Sequence, residues 1–145
     1  SNMTDEKFVE KYKSEGAIFI SFVHIGAYLS MSSLVGEGCV IGPNVNIGPN
    51  VTIGAFTLIN SRCSIGHDTV IGNFNSISPN VCFSGFSLVG DDNFFGINSA
   101  TLPSVKVGNR NKIAAGMILD QDVGNDTVVF HRLKERVFAV PKQRE

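Results

Sequence analysis

Three histidines are the side chains of this sequence best suited to carry a proton near neutral pH, and one of them is followed directly by a carboxylate. His67 precedes Asp68 in the run SIGHDTVIG. An imidazole can accept the proton of an attacking hydroxyl or amine, and a carboxylate on its other ring nitrogen fixes the tautomer and stabilises the imidazolium. The pair therefore predicts a catalytic general base, His67, with Asp68 as its partner.

A contact between His67 and Asp68 requires a local bend, because successive side chains of a strand point to opposite faces. Without that bend the two residues are an exposed histidine and a solvated turn aspartate, and this alternative stays open. His24 and His131 lie near the two ends of the repeat that contains His67. We interpret these two histidines as surface or packing residues.

A six-residue repeat must position the histidine. One position in six is apolar almost without exception, glycine often follows it, and a small or slender residue stands four positions after it. The repeated positions are Val35, Ile41, Ile47, Ile53, Ile59, Ile65, Ile71, Ile77, Phe83, Val89, Phe95, Thr101, Val107, Ile113 and Leu119. A fixed period indicates a stack of similar structural units, and the glycine, proline and asparagine content opposes a continuous helix.

Each hexad is expected to form one short strand and one corner. If the large apolar residue and the slender one both point inward, the corner holds residues such as glycine, asparagine or aspartate, which tolerate unusual backbone angles. Three such sides close one triangular coil. The sequence thus predicts an all-β protein, a triangular prism of about five to six parallel coils.

The predicted organisation has three parts. Residues 1–17 hold a tag remnant, Ser1 and Asn2, and a helix that Thr4 caps and that runs to about Ser14 before Gly16 ends it. Residues 18–122 form the β-helix. Residues 123–145 form a C-terminal cap, and the N-terminal helix is expected to lie over one end of the stack, because the ends of a prism expose unpaired strand edges.

Composition excludes several function classes. The 145 residues suit one domain, and a formal net charge of −1 gives no broad basic surface for nucleic acid. No apolar stretch approaches the roughly 18 to 20 residues of a membrane span, and no secretory signal is visible, so we expect a cytoplasmic protein without a membrane partner. Cys39, Cys63 and Cys82 lack CxxC spacing and are interpreted as buried small apolar residues.

The hexad pattern [LIV]-G-x-x-[STAVCN]-x resembles that of the hexapeptide-repeat acyltransferase family, whose fold is the left-handed parallel β-helix. The resemblance supplies the hand, since parallel crossover connections are otherwise right-handed in about 98% of cases. The run around His67 is similar to the motif I-x-H-[DE]-x-x-I-G of sugar acetyltransferases that modify sialic acid or bacillosamine-type sugars. This implies acetyl transfer from acetyl-CoA, without a metal, to a hydroxyl or amine of a sugar or nucleotide sugar. It also implies a homotrimer with active sites between subunits.

The same resemblance assigns the remaining site residues. Gly85 matches a glycine near the acetyl thioester, where its backbone N–H could stabilise the tetrahedral intermediate. Through the run FFGINSATLPSVKVGNRNKIAAG, Ile97 and Ala115 match positions that line the coenzyme A channel. Ser76 stands where the family has a second, cofactor-associated histidine, and Asn60 matches an asparagine near the acceptor.

Two departures from the family keep the acceptor unassigned. The sugar acetyltransferases usually carry an N-terminal nucleotide-sugar-binding domain, for which this sequence has little room before the repeat. Their closing motif G-[VN]-P-A-[KR] is reduced here to the run AVPK at 139–142. Late in the repeat, Lys106, Arg110 and Lys112 either bind phosphates of coenzyme A or form a solvated basic face.

Two further functions compete with acetyl transfer. A non-enzymatic β-helix that serves as a scaffold or binding module accounts for the repeat but gives the His67 motif no role. A zinc enzyme of the γ-carbonic anhydrase type needs three imidazoles, and the sequence has no HxxxxH spacing. Outward aromatic residues at Phe56, Phe74 and Phe86 favour a buried interface or a ligand groove over open surface, and Phe56 and Phe74 are expected to stack.

Overall fold

The computed structural model describes residues 6–131. The predicted helix cap Thr4 and the part of the predicted C-terminal cap from 132 to 145, with its AVPK run, lie outside the described residues. No helix within 6–131 has the length and apolar character needed to cross a membrane. The one helix of this part of the chain, α1 (Glu6–Ser14), ends before Gly16, whose φ is +89°.

Eighteen two-residue strands follow the helix. They are β1 (Phe22–Val23), β2 (Tyr28–Leu29), β3 (Leu34–Val35), β4 (Val40–Ile41), β5 (Asn46–Ile47), β6 (Thr52–Ile53), β7 (Leu58–Ile59), β8 (Ser64–Ile65), β9 (Val70–Ile71), β10 (Ser76–Ile77), β11 (Cys82–Phe83), β12 (Leu88–Val89), β13 (Phe94–Phe95), β14 (Ala100–Thr101), β15 (Lys106–Val107), β16 (Lys112–Ile113), β17 (Ile118–Leu119) and β18 (Val128–Val129). Their spacing is that of the predicted hexads.

Up to β17, every third strand joins the same parallel sheet, and β18 joins the sheet of β16. The chain thus winds around three faces in about six turns. Face 1 holds β1, β4, β7, β10, β13, β16 and β18; face 2 holds β2, β5, β8, β11, β14 and β17; face 3 holds β3, β6, β9, β12 and β15. We name the turns between them corner 1–2, corner 2–3 and corner 3–1. Residues 18 apart therefore stack directly, as Asn50 and Asp68 do.

Both predicted inward positions fill the core. The second residue of nearly every strand is buried, and so is the slender residue before the strand, for example Ile59 and Val45. Cys39 and Cys63 occupy the slender position and are buried as expected, and burial raises the pKa of both thiols. Cys82 contradicts the expectation of burial, because it is the outward residue of β11 and is exposed.

The parallel ladder continues past residue 122, where we expected the repeat to end. Val123 bridges to Val107, and β18 pairs with β16 on face 1. The last coil is shorter than the others: the hydrogen bond from Arg110 to Asp126 spans 16 residues, whereas the bond from Asn73 to Asp91 in an earlier coil spans 18.

The corners depend on a left-handed backbone. Every sixth residue from Asn44 to Arg110 has a φ between 55° and 65°, as does Asp126. Asparagine and aspartate at these positions agree with the prediction, but three phenylalanines also adopt this conformation: Phe56, Phe74 and Phe86. For a residue with a bulky side chain this conformation costs roughly 1–2 kcal/mol, which other contacts must offset.

Helix α1 lies along corner 3–1, not over the end of the stack as we expected. Val9 is buried against a surface that includes Phe56 and Phe74. These two phenyl rings stack as predicted, with centroids 5.2 Å apart and planes 11° apart. Lys13 lies over the Phe56 ring and pairs with the Glu37 carboxylate. The packing compensates the strained backbone of both phenylalanines.

Buried asparagines below corner 3–1 supply a stability test. Asn93 Nδ2 donates to the Gly108 carbonyl (2.9 Å), and Asn93 Oδ1 accepts the Asn111 N–H (2.9 Å). Asn93→Val leaves two buried backbone groups unpaired, so we expect the free energy of unfolding in urea to fall by about 3 kcal/mol. Asn46→Val, the same change on the exposed side of β5, should change it by less than about 0.5 kcal/mol. Equal effects would contradict the assigned role of this hydrogen-bond ladder.

Candidate functional site

His67 and Asp68 lie at corner 2–3, and the corner supplies the bend that their contact requires. Asp68 has a φ of 57°, and its Oδ2 atom lies 2.9 Å from His67 Nδ1. The hydrogen bond with His67 and, second, that with Asn50 lower the pKa of Asp68. With Nδ1 directed at the carboxylate, Nε2 is the nitrogen left for a substrate, and it has no hydrogen-bond partner within residues 6–131.

Gly85 lies under the imidazole, one coil after His67. A Cβ atom added to Gly85 would lie 2.8 Å from both Nε2 and Cε1 of His67, so a side chain cannot fit there without moving the ring. The backbone of Gly85 accepts a hydrogen bond from the Ser104 N–H (3.1 Å), and in the described part of the chain its own N–H donates to no group. The corner thus combines a free imidazole nitrogen with an open backbone donor.

Asn50 completes the support of the pair from the coil before. Its Nδ2 atom donates to Asp68 Oδ1 (3.2 Å), and its own N–H donates to Ser32 Oγ (3.0 Å). The carboxylate is therefore held at both oxygens, one by His67 and one by Asn50. Asn50 was not among the predicted site residues, although the register points to it, since it precedes Asp68 by one full coil of 18 residues.

Asn50→Gly should weaken this support without disturbing the backbone, because glycine tolerates the φ of 57°. A group whose folded pKa is lowered stabilises the fold above its ordinary pKa, and the contribution is lost as the pH falls through the lowered value. Removing the Asn50 donor should raise the folded-state pKa of Asp68, so the contribution of Asp68 to stability becomes smaller and its loss is complete at a higher pH. A carboxyl ¹³C titration measures the change.

Asn50→Gly should also slow transfer by about five-fold, the size expected for one exposed hydrogen bond. Asn44→Gly is the matched control, because Asn44 has a φ of 56° and no contact with Asp68. An unchanged Asp68 titration in Asn50→Gly would refute the positioning role.

Phe86 is the fifth residue at the site. It follows Gly85 and lies one coil after Asp68, and its ring meets the His67 ring edge to face, at 89° with centroids 5.1 Å apart. The Phe86 N–H donates to the His67 carbonyl (3.0 Å), which fixes the two residues relative to each other. The aromatic side chain therefore borders the imidazole, and the residue before it, Gly85, adjoins Nε2.

One chain does not bring all the predicted site residues together. His67, Asp68 and Gly85 meet at corner 2–3, whereas Ile97 and Ala115 stack on each other at corner 1–2, linked by the hydrogen bond from Gly116 N–H to the Ile97 carbonyl (2.8 Å). Asn60 follows β7 and lies at corner 1–2 two coils before Ile97. Ser76 is the outward residue of β10 on face 1. The period explains the separation, since only residues a full coil apart stack.

The late basic residues do not form a cluster. Lys106 points outward from face 3, Lys112 from face 1, and Arg110 lies at corner 3–1 between them. The Arg110 guanidinium is paired with both carboxylate oxygens of Asp126, at 2.6 and 3.0 Å. The three cations therefore lie on different sides of one chain, and Arg110 is already paired. Residues 6–131 also contain no group of three histidine, cysteine, aspartate or glutamate side chains placed to hold a metal.

Several solved structures have a fold similar to that of this chain. PerB from Caulobacter crescentus, in complex with CoA and GDP-perosamine, superposes with a TM-score of 0.81 at 25% identity, over 88% of this chain and 61% of its own. The acetyltransferase domain of PglB from Neisseria gonorrhoeae FA1090, in complex with acetyl coenzyme A, gives 0.78 at 20% identity, over 83% and 60%. WeeI from Acinetobacter baumannii AYE gives 0.83 at 20% identity, over 87% and 62%.

These likenesses confirm the predicted left-handed parallel β-helix and the resemblance to hexapeptide-repeat sugar acetyltransferases. The chain spans about three fifths of the length of the solved structures that it matches. No protein-family model matches the sequence, and no curated protein matches it.

Proposed function

We propose that the protein is an acetyl-CoA-dependent acetyltransferase that acts on a hydroxyl or amino group of a sugar or nucleotide sugar. The observation that carries the proposal is the arrangement at corner 2–3. His67 is oriented by Asp68 through Nδ1 and presents a free Nε2 beside the open backbone of Gly85. The solved structures with CoA and acetyl coenzyme A support the choice of donor.

His67 acts as the general base in this reaction. Nε2 accepts the proton of the acceptor O–H or N–H as that atom attacks the thioester carbonyl, and the developing imidazolium is stabilised by Asp68. The Gly85 N–H donates to the oxygen of the tetrahedral intermediate. When the carbon–sulfur bond breaks, the proton on Nε2 passes to the departing thiolate. The products are the acetylated sugar and free coenzyme A.

We infer that the functional unit is a homotrimer, because the remaining site residues are too far around the prism to reach His67 of the same chain. Ser76, Ile97 and Ala115 would hold the donor, and Asn60 the acceptor, from a neighbouring copy. Face 1 is suited to such contacts, since it carries a row of exposed apolar side chains: Phe22, Val40, Leu58, Phe94 and Val128. A rotation axis of order three makes three equal sites.

Sedimentation equilibrium tests the assembly directly. A trimer has three times the chain mass of 15.6 kDa. A monomer at micromolar concentration would contradict the shared site.

The activity itself is tested with acetyl-CoA and a panel of amino sugars, deoxy sugars and GDP-perosamine. We expect release of free thiol, with mass spectrometry separating an ester from an amide product. Calorimetry with CoA alone provides the second measurement. CoA binding without transfer to any member of the panel contradicts the sugar acceptor, and absence of CoA binding contradicts acyl transfer and favours a scaffold.

A further inference from the structure

Phe86 occupies a backbone position that disfavours it. Its φ is 61°, in the left-handed region, yet 56% of the residue is exposed. Phe56 and Phe74 share this conformation, but each has aromatic packing against the other and lies beneath α1. Phe86 has no such cover, since its ring contacts only His67 among the rings of the described residues.

Folding alone does not account for a phenylalanine at this position. Asparagine occupies the equivalent position at four other corners, with φ between 56° and 60°: Asn44, Asn50, Asn80 and Asn98. Asparagine tolerates this conformation at lower cost than a residue with a bulky ring. A strained, exposed aromatic ring beside a reactive group is the kind of outlier that indicates a functional role.

The ring is placed to contact whatever reacts at His67. A group that gives its proton to Nε2 must come within about 3 Å of that atom. The Phe86 centroid is 5.1 Å from the imidazole centroid, and Gly85, the residue before Phe86, adjoins Nε2. A six-membered ring bound to Nε2 through one hydroxyl or amine is therefore large enough to reach the phenyl group. A pyranose is suited to this contact, because one of its faces presents C–H groups that pack on an aromatic surface.

We propose that Phe86 binds the acceptor by stacking against the C–H face of its sugar ring, an inference that rests on the proposed acetyl transfer. The contact selects ring sugars with an open C–H face over acyclic amines and alcohols. Because Gly85 has no side chain, the sugar ring has space to approach His67 Nε2.

The test compares Phe86→Asn with Phe86→Tyr, using the panel sugar that the parent protein acetylates fastest. Phe86→Asn should raise the KM for that sugar by about ten-fold, the size of one lost aromatic contact, and leave the KM for acetyl-CoA unchanged. Its urea midpoint should be no lower than that of the parent, since asparagine relieves the strain. Phe86→Tyr should retain the parent KM.

Phe74→Asn is the matched control, with the same substitution at the same backbone conformation on corner 3–1. It should lower the urea midpoint, because it removes the stack on Phe56, and leave both KM values unchanged. Unchanged acceptor KM in Phe86→Asn, or equal rises for acceptor and acetyl-CoA, overturns the stacking role while acetyl transfer stands. Absence of transfer by the parent protein overturns both.

Discussion

Replacing His67 by asparagine should lower the rate of acetyl transfer by at least about a hundred-fold, the lower end of what a positioned general base contributes. The asparagine amide can still donate to Asp68 from near the position of Nδ1, so the corner keeps its hydrogen bond. It has no group at the position of Nε2 that can accept a proton. The loss should therefore appear in kcat, with the KM for acetyl-CoA nearly unchanged.

Initial rates of thiol release, with calorimetry for CoA, measure this effect. His24→Asn is the matched control, because His24 lies in the first coil, far along the stack from His67, and its Nδ1 atom accepts the nearby Gly26 N–H. It should retain the parent rate. A His67→Asn protein that transfers acetyl at more than a tenth of the parent rate would remove His67 from the mechanism.

Gly85→Ala should reduce transfer by about as much as the loss of one oxyanion donor, roughly a hundred-fold. The φ of Gly85 lies outside the left-handed region, so the alanine backbone is not strained. The cost arises from the methyl group, which would lie 2.8 Å from His67 Nε2 and Cε1. Either the His67 ring turns away from Asp68 to relieve this contact, or the ring stays in place and the methyl group fills the space that the thioester carbonyl needs.

The control for this variant is Gly124→Ala, since no atom lies within 4 Å of a Cβ added there. It should keep both the parent rate and the parent unfolding midpoint. Nitrogen-15 spectra of the imidazole in Gly85→Ala should show a changed Nε2 resonance while the urea midpoint stays within the range of the parent. A normal rate with normal imidazole spectra would show that the close approach has no part in catalysis.

The sequence allowed the three-sided coil to be predicted because the hexad constrains the backbone at two points, the inward apolar residue and the corner. Ile59 and Val45 are buried for that reason, and Asn44 and Asn50 adopt the left-handed φ that the corner requires. The location of α1 escaped prediction, because its apolar residues show only that it has a packed face and not which surface it packs on. That surface depends on Phe56 and Phe74, which the corner pattern does not predict.

The site was predictable in the part that lies along one corner. His67 and Gly85 are a coil apart, and the register places one under the other without further information. Ile97 and Ala115 lie at a different corner from His67 for the same geometric reason, since they are offset from it by part of a coil. Their role depends on contacts between copies, which hydrophobic periodicity within one chain does not encode.

His67 and Gly85 are in register at corner 2–3 because one full coil of 18 residues separates them. Each coil advances about 4.8 Å, and each hexad turns the chain by one side of the triangle. Deleting one hexad between His67 and Gly85 would move all later residues by one side of the triangle. Asp91, a carboxylate, would then lie beneath the imidazole in place of Gly85. Gain or loss of coils before His67 or after Gly85 leaves the alignment intact, so variation in prism height is tolerated far more readily than a change of phase between these two residues.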